Sequence, residues 1–296
     1  MTSARRRGMP GGGTTALRIQ LGAHLRRLRK SRHVTRESAG WEIRASESKI
    51  SRIELGRVAI KERDIADLLT LYGVAGEERI ALLSLARQAS RPAWWQRFAD
   101  VMPPWFQSYL GLEDAASLIR SYEVQFVPGL LQTADYARAV IELGHAGASA
   151  AEIDRRIQLR QSRQQVFGRD EPPQLWAVID EAVLRRPIGG SDVMRAQLEA
   201  LIEASRRPHI HLQIVSAGAV DRAAACAPFA ILRFAEPEQP DVVYVEQPTD
   251  ALYLDNRGDV DDYAIAMAYI CTMASPPDQT ATIVGKILDE IGAVDS

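Results

Sequence analysis

Residues 34–56, VTRESAGWEIRASESKISRIELG, constrain the fold more than any other stretch, because they place two short helices across one tight turn. Thr35 and Ser46 each stand at the head of a helical pattern, where a hydroxyl oxygen accepts from an otherwise unpaired backbone N–H. Neither is followed at the third position by Glu or Gln, so neither forms a full capping box. Gly40 falls midway along the first helix, where a missing side chain lets two helices approach closely. Gly56 follows Leu55 as the left-handed residue that ends the second helix. Upstream, Leu17, Leu21, Leu25 and Leu28 recur at three- and four-residue spacing, which predicts a helix from Ala16 to about Ser31–His33.

On a wheel of about 100° per residue, Ile50 and Ile53 share one side of the helix after Ser46 and face a core. Glu47, Ser48, Ser51 and Arg52 take the opposite arc and face out. That arc is rich in hydrogen-bonding groups and suits reading base edges in a major groove, with Arg52 best matched to guanine and Glu47 to cytosine. Arg36, Lys49, Arg57 and Lys61 surround it as candidate phosphate contacts, which set register without reading sequence. Charge agrees: residues 1–90 hold 18 Lys and Arg against 9 Asp and Glu, whereas the remainder holds 18 against 29. A basic head on an acidic body suits a polyanion partner for the head alone.

The same stretch resembles the helix-turn-helix of phage-repressor-type regulators, the Cro/repressor class, most specifically in Lys49-Ile50-Ser51-Arg52-Ile53-Glu54-x-Gly56. The resemblance implies a five-helix domain with 46–54 as its recognition helix. It also implies that Arg29 pairs with Glu54 to brace that helix. Trp41 departs from the pattern, being bulky where a polar residue is common, and is expected to pack against the following domain.

The expected organisation is a disordered basic tail over 1–15, a helix-turn-helix domain over 16–75, a helical connector over 76–91 and an effector domain over 92–296. In the effector domain, helical patterns cover 111–121, 133–144, 150–168 and 191–205, with two more near 259–274 and 278–292. Strand-like runs occupy 175–180, 209–215, 229–234, 242–246 and 251–254. The fold class is therefore an all-α N-terminal domain followed by an α+β domain with a mostly antiparallel sheet. No apolar run is long enough to cross a bilayer, and the N-terminus does not read as a signal peptide, so a cytoplasmic, nucleoid-associated protein is expected.

Residue chemistry points away from catalysis, and neither a metal nor a cofactor is expected. Cys226 and Cys271 are too few for a thiolate site, and His209 and His211 on one strand have no third ligand. Asp180 and Glu181 could form an acid–base pair, but carboxylates at that position more often cap the next helix. Trp94, Trp95, Trp105, Phe126 and Leu130 are the candidate partner or ligand surface, against the alternative that they are core.

Beyond the head, Pro92-x-Trp94-Trp95, SYEVQFVPGLLQTADYARAV (121–140), WAVIDEAVLRRPIGG (176–190), VMRAQLEAL (193–201), PFAILRF (228–234) and VVYVE (242–246) resemble one particular domain. It is the effector domain appended to repressor-type helix-turn-helix modules in filamentous, high-G+C actinobacteria. Such proteins resemble antitoxins that sit beside a gene for a small acidic partner. The resemblance implies a regulator gated by a small acidic protein bound to the effector domain, and because a single module of this size reads too few bases, a homodimer on a double-stranded DNA operator is expected. The alternative is a small-molecule-sensing repressor with an apolar pocket near the tryptophans. The segment HIHLQIVSAGAVDRAAACAP departs somewhat from the family pattern.

Overall fold

The computed structural model describes residues 14–216, 226–237 and 239–294, and these fall into two compact units, one of the described residues up to 93 with 167–172 and one of the described residues in 94–166 and from 173 on. Of the expected basic tail, residues 1–13, including Arg5, Arg6 and Arg7, lie outside the described residues. Thr14 and Thr15 are already helical.

The N-terminal unit is all helix: α1 (Thr14–Ser31), α2 (Arg36–Glu42), α3 (Glu47–Glu54), α4 (Glu62–Leu71) and α5 (Gly76–Ala89). Leu21 and Leu25 of α1, Ile50 and Ile53 of α3, and Ile65, Leu68 and Leu69 of α4 are buried in one core. The expected connector is part of this core. Leu82, Leu85, Ala86 and Ala89 lie on one stripe of α5 and are buried with the other helices. Arg18 Nε, on α1, donates to the Ala89 carbonyl at 2.9 Å. A solvent-spanning helix would leave that stripe wet, so α5 is the fifth helix of the domain, which extends past residue 75.

The C-terminal unit opens with a 3-10 turn (Trp94–Phe98), α6 (Pro104–Ala115) and β1 (Leu118–Glu123). It continues through a 3-10 turn (Gly129–Leu131), α7 (Ala134–Gly144), α8 (Ala150–Gln164), β2 (Gln174–Asp180), α9 (Glu181–Arg185), α10 (Ser191–Ser205) and β3 (Ile210–Val215). Last come β4 (Phe229–Arg233), β5 (Val242–Glu246), β6 (Ala251–Leu254), α11 (Arg257–Met273) and α12 (Thr280–Val294). The six strands form a mixed sheet in the order β3-β2-β1-β4-β5-β6. β1 pairs parallel with β2, and β2 with β3, while β4, β5 and β6 join by antiparallel pairings. Parallel neighbours need a crossover, and helices α7 to α10 supply it.

The expected helix over 111–121 does not form: α6 ends at Ala115, and Leu118–Glu123 is one of the two central strands. Its polar Ser121 is buried in the middle of the sheet, which hid the strand's alternation. Without β1 the sheet lacks the strand that joins the parallel pair β2–β3 to the antiparallel strands β4 to β6. Among the described residues no helix is long and apolar enough to cross a membrane.

One sheet face is covered by α11, where Met267 and Ile270 pack with Tyr122, Val178, Ile231 and Val243. Alternation along the strands puts Ser121, Glu123, Tyr244 and Glu246 on the other face, where Tyr109 of α6 lies 4.2 Å from Tyr244 between ring centroids. That face carries buried charge. Arg163 of α8 donates to both carboxylate oxygens of Glu113, at 2.9 and 2.7 Å, with both residues under 9% exposed. Arg160 donates to Gln132, and the Tyr244 hydroxyl donates to Glu246 at 2.9 Å.

Glu123, half-buried at the end of β1, is pushed up to about 8, by desolvation first and the Glu246 charge second, with Arg163 opposing. A native carboxyl that ionises above its ordinary value of 4.5 keeps a proton that the unfolded chain releases, so stability falls as pH rises between the two values. Below that window both states are protonated, and above it the loss is complete. Glu123→Gln, which mimics the protonated acid, should therefore raise the melting temperature near pH 8 and leave it unchanged near pH 4. Equal shifts at both pH values would disprove the assignment.

Candidate nucleic-acid interface

α2 and α3 are set by the local chemistry their sequence predicts. The Thr35 hydroxyl accepts from Ser38 N at 3.0 Å, and the Ser46 hydroxyl from Lys49 N at 3.2 Å. Between the helices, Ala45 N donates to the Gly40 carbonyl at 2.8 Å. A Cβ on Gly40 would stand 2.6 Å from the Ala45 carbonyl oxygen, so only glycine permits this turn. Gly56 closes α3 at φ +67°, and a Cβ there would meet the backbone of Ile19 at 2.7 Å. Gly22 was not singled out from the sequence. A side chain on it would meet the Ile53 and Glu54 carbonyl oxygens at 2.5 Å, so α1 and α3 are in backbone contact there. The available signal was its place in the leucine stripe of α1, where a glycine is otherwise unfavourable.

The end of α3 is held by charge. Arg29 Nε and Nη2 donate to the two carboxylate oxygens of Glu54 at 2.5 and 3.1 Å, and Arg29 Nη1 donates to the Val34 carbonyl at 2.9 Å. Glu54 is 2% exposed. Its hydrogen bond raises the Arg29 pKa against the opposing effect of burial. Arg36 Nε approaches the second Glu54 oxygen at 3.5 Å. The Tyr72 hydroxyl is buried nearby, and desolvation followed by the Glu54 charge pushes its pKa above the ordinary range.

With Ile50 and Ile53 buried, Glu47, Ser48 and Arg52 are exposed and Ser51 is half-buried. The structure thus brings the four candidate base readers onto the solvent side of one helix. Lys61 is exposed, and Arg57 is half-buried. Lys49 is tied to Asp64 at 2.9 Å and Arg36 to Glu54, two engagements that sequence spacing did not reveal. Trp41 is 85% exposed, and Arg44 in the turn between the helices is exposed at φ +55°.

Residues 20–82 match a helix-turn-helix domain, and residues 106–286, more than half of the chain, match a domain of unknown function, DUF5753. The chain belongs to the DUF5753 family. No curated protein and no solved structure matches it. The helix-turn-helix match starts within α1 and ends within α5, in keeping with the inclusion of α5 in the core.

In the C-terminal unit only part of the candidate partner surface reaches solvent. Trp95 and Leu130 are buried, and Trp94, Trp105 and Phe126 are half-buried. Trp94 stacks edge-on to Trp95 at 5.5 Å and donates its Nε1 to Asp114 at 3.2 Å. These large apolar groups gain more from each other than from solvent contact, which makes Trp95 and Leu130 core. The VPGLLQT motif is an internal brace. Gln132 donates to the Val127 carbonyl at 2.7 Å, and Gln197 accepts from Thr133 N and donates to the Leu131 carbonyl.

A groove of about 500 Å³ between α7 and the 186–189 turn and one of about 290 Å³ along α8 are both open, and none of the three clustered tryptophans lines either. Asp180 accepts from Ala182 N as the α9 cap, and Glu181 accepts from Arg185, so each carboxylate has a structural partner. Desolvation and then Arg207 lower the His209 pKa, and the His211 ring stacks against Trp176 at 5.4 Å. Among the described residues no group of three or more His, Cys, Asp or Glu could hold a metal ion.

Glu54→Gln should leave the Arg29 guanidinium buried without its counter-charge and cost about 3–5 kcal/mol of domain stability. A melting curve unaffected by the substitution would show that the pair does not brace α3.

Proposed function

We propose that this protein is a sequence-specific DNA-binding transcriptional regulator in which α3 enters the major groove. What carries the reading is α3 itself: a buried ion pair fixes its end while Glu47, Ser48 and Arg52 stand exposed on its outer arc. Glu47, Ser48, Ser51 and Arg52 read bases in this proposal. Arg36, Lys49, Arg57 and Lys61 contact phosphates, and the carboxylates bound to Arg36 and Lys49 orient each cation while leaving donors to spare. A single module of this size reads few base pairs. A homodimer on two half-sites about 34 Å apart is therefore the natural working form, acting within the cytoplasm and repressing its own promoter.

In the same proposal the DUF5753 unit binds a small acidic protein, as its resemblance to antitoxin-like actinobacterial regulators implies. That binding changes DNA affinity through linkage. Gel-shift titration against the DNA upstream of its own gene, at fixed salt, tests both levels. A specific shift altered by the neighbouring small protein is expected. A specific shift indifferent to it would transfer gating to a small ligand, and no specific shift would overturn the regulator itself. Arg52→Ala should weaken operator binding by about 1–3 kcal/mol and relax specificity at one base pair. A uniform loss across sequences would make Arg52 a phosphate contact instead. Residues 91–296, but not 1–90, should co-purify with the small protein.

A further inference from the structure

The turn between α2 and α3 holds a residue in a conformation its type disfavours. Arg44 has φ +55°, in the left-handed region that glycine enters freely and residues with a Cβ enter at a cost. Strain of this kind persists where the surrounding structure imposes it, and it concentrates at functional positions. The neighbouring hydrogen bonds impose it here: Arg44 N donates to the Trp41 carbonyl, and Ala45 N to the Gly40 carbonyl. Glycine would make the same turn without strain, so the cation itself needs an explanation.

Charge accounting supplies one. The fold employs most guanidinium and ammonium groups near α3, with Arg29 and Arg36 on Glu54 and Lys49 on Asp64. Among the described residues, the side chains of Arg44, Arg52 and Lys61 form no hydrogen bond or ion pair. Arg44 lies before α3, Arg52 on it and Lys61 after it. Arg44 stands two residues ahead of the Ser46 cap, at the amino end of α3, which in a helix-turn-helix is the end that meets base edges. Beside a helix end lying in a groove, the groups within reach of a long cation are the flanking phosphates.

We infer that Arg44 is a further DNA-backbone contact of this protein, a strained turn cation that binds a phosphate beside the groove entered by α3. The inference rests on the DNA-binding reading above and adds a fifth phosphate contact to it. As a purely electrostatic contact it carries no sequence preference and is sensitive to salt.

The test is binding of the full-length protein to a random-sequence DNA duplex, followed by fluorescence anisotropy across a salt series. Arg44→Gly keeps the turn, since glycine adopts this backbone freely, and the thermal melt should confirm an intact domain. The variant should bind more weakly, and its slope of log affinity against log salt should be shallower by about 0.9, the value for one lost phosphate contact. Arg44→Lys should restore the slope. Arg91→Gly removes an equally unpartnered cation outside the turn and should leave it unchanged. An unchanged slope for Arg44→Gly, or an equal fall for Arg91→Gly, would overturn the Arg44 contact while leaving the DNA reading intact. Failure of the unsubstituted protein to bind the duplex would remove that reading itself.

Discussion

Glu54 is an acidic side chain almost wholly removed from water, and the position of α3 depends on how it is paired. An eight-residue helix is too short to hold itself together, so its direction comes from what it touches. Ile50 and Ile53 attach one side to the core, but two apolar contacts on a short cylinder leave it free to roll. The fork of Arg29 on Glu54 adds a directional constraint at the carboxyl end, because two parallel N–H···O bonds fix angle as well as distance. Gly22 and Gly56 then let α1 close on α3 at backbone distance. The outer arc points to solvent because every other side of the helix is used.

The DUF5753 unit uses the same device for a different purpose. Arg163 and Glu113 join α8 to α6 with a buried two-pronged pair, and the guanidinium also lies over Phe106 and Tyr109, 5.4 and 5.5 Å from their ring centroids. Beside it, Gln132 and Gln197 satisfy backbone groups that the 129–131 turn would otherwise bury unpaired. The distinctive strings of this unit are therefore largely structural: VPGLLQT braces a turn and the tryptophans near residue 95 pack.

Much of the DNA-facing half was legible in its residues because the interactions concerned are local. A cap is decided within three residues, as at Thr35 and Ser46, and a left-handed helix stop by one glycine, as at Gly56. The inward and outward sides of α3 follow from helical period alone, and a resemblance supplied the Arg29–Glu54 pair that spacing could not. Reading failed where the decisive neighbour is distant in sequence. The first residues of β1 carry a helical pattern because their polar members gain their place only from β2 and β4 on either side, both more than fifty residues downstream. α5 reads as a connector in sequence because its apolar stripe is intelligible only once α1 is packed against it.

The sequence by itself determined that α1, α2 and α3 are helices, where α2 and α3 start and α3 stops, and which side chains of α3 face away from the core. These depend on backbone hydrogen bonding and side-chain period over a few residues, which no distant contact reverses. Only the tertiary structure decided which cations are committed inside the protein, which tryptophans are buried, and that the sheet is mixed. It also decided that the turn before α3 places an arginine in left-handed backbone. Each of these is a competition between burial, pairing and solvent, and its outcome depends on neighbours that only folding brings within reach.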